Sequence, residues 1–321
     1  MATTTTTLED IPADVLACAL RRLDGRSLAA ASCATAGLRV LAADPATWRA
    51  LCLARWPSLL AARPDLLLSA AVSPQRLFAD AFPFPCVPPP EPNAAAAPLA
   101  GAPEAPELPA ELISAVDVYH GGVPLLSRAV GTSTSSSWFL ASPFRVDAVD
   151  PKSPAPIGHA GVCVSPAELE LSWVIIDPRA GGRAVNVSSR RPVAVDRHWY
   201  TGEALVRYAV VLAGCKLEAT VTCSEDAAHV REISLAVEDV DGAAVSGLGA
   251  LRILAAAMAG PRRGGDEEEA AAAAKRGYED FVRSKRGRKE SKARKEVLFD
   301  LCCSAVSAVA VLSFVAAVVL R

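Results

Sequence analysis

Four histidines, at positions 120, 159, 198 and 229, and nine cysteines are the residues through which this chain could bind a metal or attack a substrate. No two histidines stand at metal-ligand spacing. The cysteines, at 18, 33, 52, 86, 163, 215, 223, 302 and 303, are odd in number, irregularly placed and free of any C-x-x-C pair. Neither a zinc site nor a disulfide framework follows from that pattern, and reduced thiols are the expectation. His120-Gly121-Gly122 has the form of an oxyanion-loop fragment, but no G-x-S-x-G nucleophile elbow accompanies it, so a turn is the better reading. Gly181-Gly182 and Gly264-Gly265 do not build a phosphate loop. Acidic pairs occur, yet no two carboxylates are singled out for acid–base work. Asp196-Arg197-His198-Trp199-Tyr200 is the densest polar-aromatic cluster, either a binding rim or a strand end with satisfied polar groups. The chemistry open to the chain is therefore recognition rather than bond making. No catalytic residue, cofactor or metal is expected.

The elements that would carry recognition follow from composition along the chain. With 321 residues, 51% of them hydrophobic, there is material for about two domains of roughly 150 residues. The formal net charge of -2 gives no global field toward nucleic acid, and no nucleic-acid partner is expected. The start, rich in threonine, has no apolar stretch of a signal peptide, so the sequon Asn186-Val187-Ser188 reads as chance. Residues 83–109 hold ten prolines and a run of four alanines, a linker composition. Residues 110–260 form a β-rich domain: short Val-rich runs at 138–146, 169–177, 183–189, 204–212, 216–223 and 230–240 predict an antiparallel, sandwich-like sheet system. A helix over 250–260 closes it at Gly260-Pro261. Residues 261–296 predict a charged helical linker, acidic at its start and basic at its end, as a helix dipole favours. Gly277 and Gly287 weaken that helix by about 1 kcal/mol each.

Residues 8–60 predict three short helices. Ile11-Pro12 precedes the first, with proline where its missing N–H is harmless, and Leu16, Leu20 and Leu23 form one apolar stripe. Asp24-Gly25 stops that helix, and Ser27 can cap the next, which carries Leu28, Ala31 and Ala34 on one face. Asp44-Pro45 breaks again before Thr47-Trp48-Arg49 and a third helix with Leu51, Leu53 and Trp56. Three such helices are too small to bury all their apolar surface, and the exposed remainder, Ile11, Pro12, Val15 and Leu16, predicts a partner.

Ile11-Pro12-Ala13-Asp14, Val15-Leu16, Leu20, Leu23, Ser32-Cys33, Leu38-Arg39 and Asp44-Pro45-Ala46-Thr47-Trp48 together closely resemble an F-box of the plant type, in order and in spacing. The departures are Ile11, where the family usually has leucine, and the small Ala36 ahead of Leu38. The resemblance covers about a sixth of the chain. It implies that the segment binds a Skp-type adaptor, and through it the cullin and RING subunits of a ubiquitin ligase. The adaptor-binding set it implies is Ile11, Pro12, Val15, Leu16, Leu20, Leu23, Leu28, Leu38 and Trp48. Of these, Pro12, Val15, Leu16 and Leu20 face the adaptor, and Leu28, Leu38 and Trp48 are internal or at the rim. The β-rich domain would then take a protein substrate that the sequence does not name. The strands around Trp173 and Tyr208 are also faintly similar to phloem-lectin-like sandwiches, although no sugar-binding residues carry over. A membrane-anchored carbohydrate- or ligand-binding protein is the alternative reading.

Leu301 to Leu320 is a run of twenty residues without charge, preceded by eight Lys/Arg between Arg283 and Lys295. As a helix it would match a bilayer's hydrocarbon thickness, and the basic flank sets the orientation. The expectation is a single transmembrane helix over 298–320 in contact with the lipid bilayer and a cytosolic amino-terminal body. The membrane would be that of the endoplasmic reticulum or another organelle's outer membrane, with nucleus and cytosol as the alternative location. Cys302 and Cys303 near its start are either lipidated or free thiols. The fold class expected is thus α+β: a three-helix F-box, a Pro-rich linker, a β-rich sandwich-like domain and a transmembrane helix.

Overall fold

The computed structural model describes residues 11–62, 72–82, 108–157, 164–179, 182–225, 227, 229–262 and 266–319. Six helices come first: α1 (Ala13–Leu20), α2 (Gly25–Ala34), α3 (Ala36–Ala42), α4 (Pro45–Arg55), α5 (Ser58–Ala62) and α6 (Pro74–Ala81). Strands β1 (Glu111–His120) and β2 (Val123–Ser133) follow, then α7 (Ser137–Ala141), β3 (Arg145–Val149) and the short β4 (Ala155–Pro156). Strands β5 (Leu169–Asp177), β6 (Arg183–Asn186), β7 (Ala194–Arg197), β8 (Ala204–Leu212), β9 (Cys215–Cys223) and β10 (His229–Glu238) complete the sheets. Two helices close the chain, α8 (Gly247–Ala259) and α9 (Glu267–Val319). The expected linker at 83–107 and the residues 8–10 ahead of the first helix lie outside the described residues.

The strands form two antiparallel sheets. One has four strands in the order β2-β1-β5-β6; the other runs β3-β10-β9-β8-β7, with β4 also paired to β10. Their facing surfaces interdigitate into the main core. Leu112, Val116 and Val118 of β1 and Leu169, Leu171, Trp173 and Ile175 of β5 meet Val206, Tyr208, Leu217, Val221, Ile233 and Leu235 of the other sheet. Helix α8 adds Ala250, Leu251, Leu254 and Met258 to this core and ends at Gly260, as its sequence predicts.

Alternation along a strand sends every second side chain to the opposite face. In the first sheet that opposite face is buried too. Ile113, Ala115, Val174, Ile176 and Ala184 pack beneath Cys52, Trp56, Leu59, Leu77 and Ala81 of α4, α5 and α6. Strand β1 is consequently buried from Leu112 through Val118, and β5 carries an almost continuous buried run. Helix α9 lies along the outer face of the second sheet for its first turns. Lys216 there sits 6.0 Å from the Tyr278 ring centroid and 5.9 Å from that of Phe281. The molecule is thus layered helices, sheet, sheet, helix.

Three expectations are corrected. The segment 138–146 is not a strand: Ser136 caps α7 through Phe139 N at 3.1 Å, and the chain extends only from Arg145. The amino-terminal helices are not a separate three-helix unit. Thr35 interrupts the second helix and caps a new one through Leu38 N at 3.2 Å, and from Cys52 of α4 onward the helices pack on the sheet, while Trp48 at the start of α4 belongs to the amino-terminal cluster. Finally, among the described residues no helix is long and apolar enough to cross a membrane. The expected span at 298–320, the membrane location and the bilayer partner are withdrawn with it. The uncharged run is no element of its own. It continues the same helix that begins at Glu267, passes through both glycines at 277 and 287, and still carries Asp300 inside the expected span. Good helix formers around each glycine offset its penalty, so the charged and uncharged portions are one element. Leu320 and Arg321 lie outside the described residues.

His120-Gly121-Gly122 is resolved as a hairpin turn. Val123 pairs directly with His120, and both glycines have left-handed backbone, φ +56° and +79°, which a two-residue hairpin loop requires.

Candidate functional site

Helix α1 starts at Pro12, whose carbonyl accepts from Val15 N and Leu16 N at 3.1 Å each. Proline fixes its own φ and has no amide to leave unpaired, so the helix starts without a side-chain cap. On the resulting surface Pro12 is exposed, Val15 is 53% exposed, and Ile11 and Leu16 are half-buried. On its other side Leu20 is 6% exposed and turns inward.

Below that surface Leu20, Leu28, Leu38, Ala42 and Trp48 form a closed cluster against which half-buried Leu23 packs. Trp48 is held by its indole N–H, which donates to Ala42 O at 2.7 Å. The turns around the cluster are fixed by carboxylates. Asp24, rather than Ser27, caps α2: its Oδ1 accepts from Ser27 N at 2.9 Å and its Oδ2 from Ser27 Oγ at 3.0 Å. Asp44 accepts from Ala46 N at 3.2 Å and Thr47 Oγ1 at 2.7 Å, with Pro45 in the first helical position. Hydrogen bonds from Ser27 to Asp24 and from Thr47 to Asp44 hold both acids below the ordinary aspartate value.

The structure therefore divides the nine residues expected from sequence. Leu20, Leu28, Leu38 and Trp48 are interior. Pro12 and Val15 present open surface, and Ile11, Leu16 and Leu23 lie at the boundary. Val40 of α3, 76% exposed, joins the exposed apolar residues of these helices and is not in the sequence-derived set. Its place between Arg39 and Leu41 reads as ordinary helix periodicity, so only the break at Thr35 could have revealed it.

The same helical region is bound to the sheet by buried polar contacts that the sequence does not advertise. Trp56 Nε1 donates to Ser172 Oγ of β5 at 2.9 Å. Asp117 of β1, fully buried, accepts from Ser58 N at 2.9 Å and Ser58 Oγ at 2.6 Å, and so caps α5 from another element. Burial raises its carboxyl above the ordinary value against those hydrogen bonds. Asp80 of α6 accepts from Arg183 Nε at 2.8 Å and from Ala184 N at 3.2 Å, and Arg262 lies 3.5 Å away. Tyr119 donates its hydroxyl to Arg55 O. Phe78 joins this layer to the amino-terminal cluster, with ring centroids 5.5 Å from both Trp48 and Trp56.

On the sandwich, Trp199 and Tyr200 project from the turn between β7 and β8 at 89% and 80% exposure. The turn is closed by Thr201 N donating to His198 Nδ1 at 3.1 Å and His198 N to Glu203 O at 2.7 Å. Of the two readings of this cluster, the strand-end contacts are present and the aromatic rings are nevertheless outside. Among the described residues no group of three or more His, Cys, Asp or Glu could hold a metal ion. Burial pushes the Cys52 thiol up to about 12 and the Cys223 thiol up to about 11, the environment of structural rather than reactive cysteines.

No family model matches the chain, and no solved structure matches it. Curated proteins do. One, named a probable F-box protein of Arabidopsis thaliana, is 36% identical over 291 residues, covering 88% of this chain and 84% of that protein. A second, named an F-box protein of the same plant, is 36% identical over 303 residues, 86% of this chain and 80% of its own length. A third of the same description is 34% identical over 310 residues, 88% of each. The similarity thus extends well beyond the amino-terminal helices and into both sheets.

Proposed function

The chain belongs to the plant F-box protein family, and from that membership we propose that it is a substrate-recruiting subunit of a cullin-RING ubiquitin ligase that does no bond chemistry itself. Helices α1 to α3 would dock a Skp-type adaptor, and the β-sandwich would take a protein substrate. One observation carries the reading. The helices close their own core with Leu20, Leu28, Leu38 and Trp48 and still leave Pro12, Val15 and Val40 outside. An apolar surface beside a completed core has no folding role left and fits a partner.

The second half of the reading is geometric. A receptor of this kind acts by holding a captured protein near the transfer machinery, raising its effective concentration. Here the adaptor-side helices and the sandwich are joined through a shared buried layer, so the distance between the two binding surfaces is set by packing.

The test is co-purification of the full chain with a Skp-type adaptor. Wild type is expected to retain the adaptor. Val15→Asp, a charge placed on an exposed site, is expected to lose it while keeping the wild-type circular dichroism and unfolding midpoint. Absence of binding by wild type defeats the proposal.

A further inference from the structure

Where α4, the first sheet and the start of α9 meet, a cavity of about 120 Å³ is lined by Arg55, Tyr119, Glu170, Ser172, Asn186 and Arg190, with Glu267 at its side. None of these residues belongs to the surface assigned above to the adaptor.

Two guanidinium groups converge here from distant parts of the chain. Arg55 ends α4. Arg190 lies in the connection between β6 and β7, and its backbone is left-handed at φ +60°. That conformation is uncommon for a residue with a side chain and disfavoured by roughly 1 kcal/mol or more. It is nonetheless fixed: Leu171 N donates to Arg190 O at 2.9 Å, and Arg190 N donates to Ser188 Oγ at 3.0 Å. Strain maintained by several contacts, at the wall of a cavity, points to a role for the side chain it aims.

Both arginines meet the carboxylate of Glu267, the first residue of α9, and Arg190 Nε also meets Glu170 at 2.9 Å. Glu267 therefore lies between the two guanidiniums and complements their charge, as an oxyanion would. Without it, two cations would face the cavity against Glu170 alone. Burial, and next Arg190 itself, lower the Arg55 guanidinium below its ordinary value. The volume is close to that of an engineered cavity of about 150 Å³ that holds benzene, so a small ligand fits. Tyr119, Ser172 and Asn186 add neutral polar groups to its walls.

We propose that the Arg55–Arg190 cavity is a binding site for a small oxyanion, a carboxylate or a phosphate, which competes with the Glu267 side chain for the two guanidiniums. The site joins α4 to the sheet and to α9, so an occupant would be felt at the junction between the helical region and the sandwich. The proposal does not depend on the ligase reading.

The probes are inorganic phosphate and acetate, each titrated into the full chain against chloride at matched ionic strength, with the unfolding midpoint as readout. Glu267→Gln removes the built-in competitor and is expected to show a midpoint rise over chloride with at least one probe, at lower concentration than wild type. Which probe acts identifies the anion as phosphate or carboxylate. Arg190→Gln is expected to weaken the apparent affinity by about tenfold, the loss of one charge-assisted contact. Arg191→Gln, an adjacent exposed arginine, is expected to behave like wild type. No rise with either probe in Glu267→Gln overturns the proposal, as does an equal rise in Arg190→Gln. Should Arg190→Gln fail to fold, the Glu267→Gln titration decides by itself.

Discussion

Helices α1 to α3 and helices α4 to α6 are close in sequence and similar in composition, yet they use their apolar residues in opposite ways. The first group, completed by Trp48 of α4, closes a small cluster around Leu28 and leaves Val15 and Val40 exposed. The second group turns Trp56, Leu59 and Leu77, each 1% exposed, onto the first sheet, although Leu60 of α5 stays 59% exposed. The difference teaches that the helical region is two things. One part is a layer of the sandwich domain. The other is a surface mounted on that layer through Phe78. Fused in this way, the two parts behave as one body, as the proposed receptor role requires.

The largest expected effect breaks the fused layer. Trp56→Ala removes a buried indole and leaves Ser172 Oγ without its donor, and should destabilise the chain by about 3 to 5 kcal/mol. Urea unfolding followed by circular dichroism measures it. The matching change in the docking group, Val15→Ala, should shift stability by less than about 0.5 kcal/mol. Equal losses at the two sites would erase the distinction between the regions.

A smaller effect probes the join between them. A Cβ at position 25 would lie 2.3 Å from the Phe78 ring, which is itself held between Trp48 and Trp56. Gly25→Ala should cost about 1 to 3 kcal/mol by overpacking. It should also weaken adaptor binding, because the docking helices are displaced from the layer beneath. Stability lost with binding unchanged would show that the two groups are not mechanically coupled.

The Asp117 contact sharpens the comparison through pH. Its folded value lies above the unfolded one because burial outweighs the Ser58 hydrogen bonds. A raised carboxyl binds its proton more tightly in the folded state, so its contribution falls as pH rises from the ordinary aspartate value through the raised one. Asp117→Asn should remove that part of the pH dependence of the unfolding midpoint. Asp24→Ala in the docking group loses an exposed cap worth about 1 kcal/mol. There the sign is opposite: the depressed carboxyl of Asp24 stabilises above its unfolded value and loses that contribution as pH falls through the folded one. The two variants should tilt the pH profile in opposite directions.

Much of this was legible in the residues. Strands β5, β8, β9 and β10 lie on Val-rich runs bounded by turn residues, and α8 ends at the glycine expected to end it. The motif around Pro12 and Asp44 located the starts of α1 and α4. Strands β1 and β2 were not legible, because Asp117 sits mid-strand and Pro124 and Gly131 lie in its partner. Those residues read as breakers until it is known that Asp117 caps a helix from elsewhere. The strand expected at 138–146 failed because its aromatics serve a short helix capped by Ser136. The tail failed for another reason. A run without charge reads as an element by itself, whereas the helix that contains it starts far upstream among charges. Fused layers were invisible for the general reason that contacts such as Trp56–Ser172 span 116 positions and leave no local periodicity.

Hydrogen exchange on the full chain with and without a Skp-type adaptor tests the central claim most directly. The account predicts new protection over 12–20 and 36–42, with α4 to α6 already protected in the free protein and unchanged on binding. Protection that arises instead on the sandwich, with residues 12–20 exchanging as before, would contradict it.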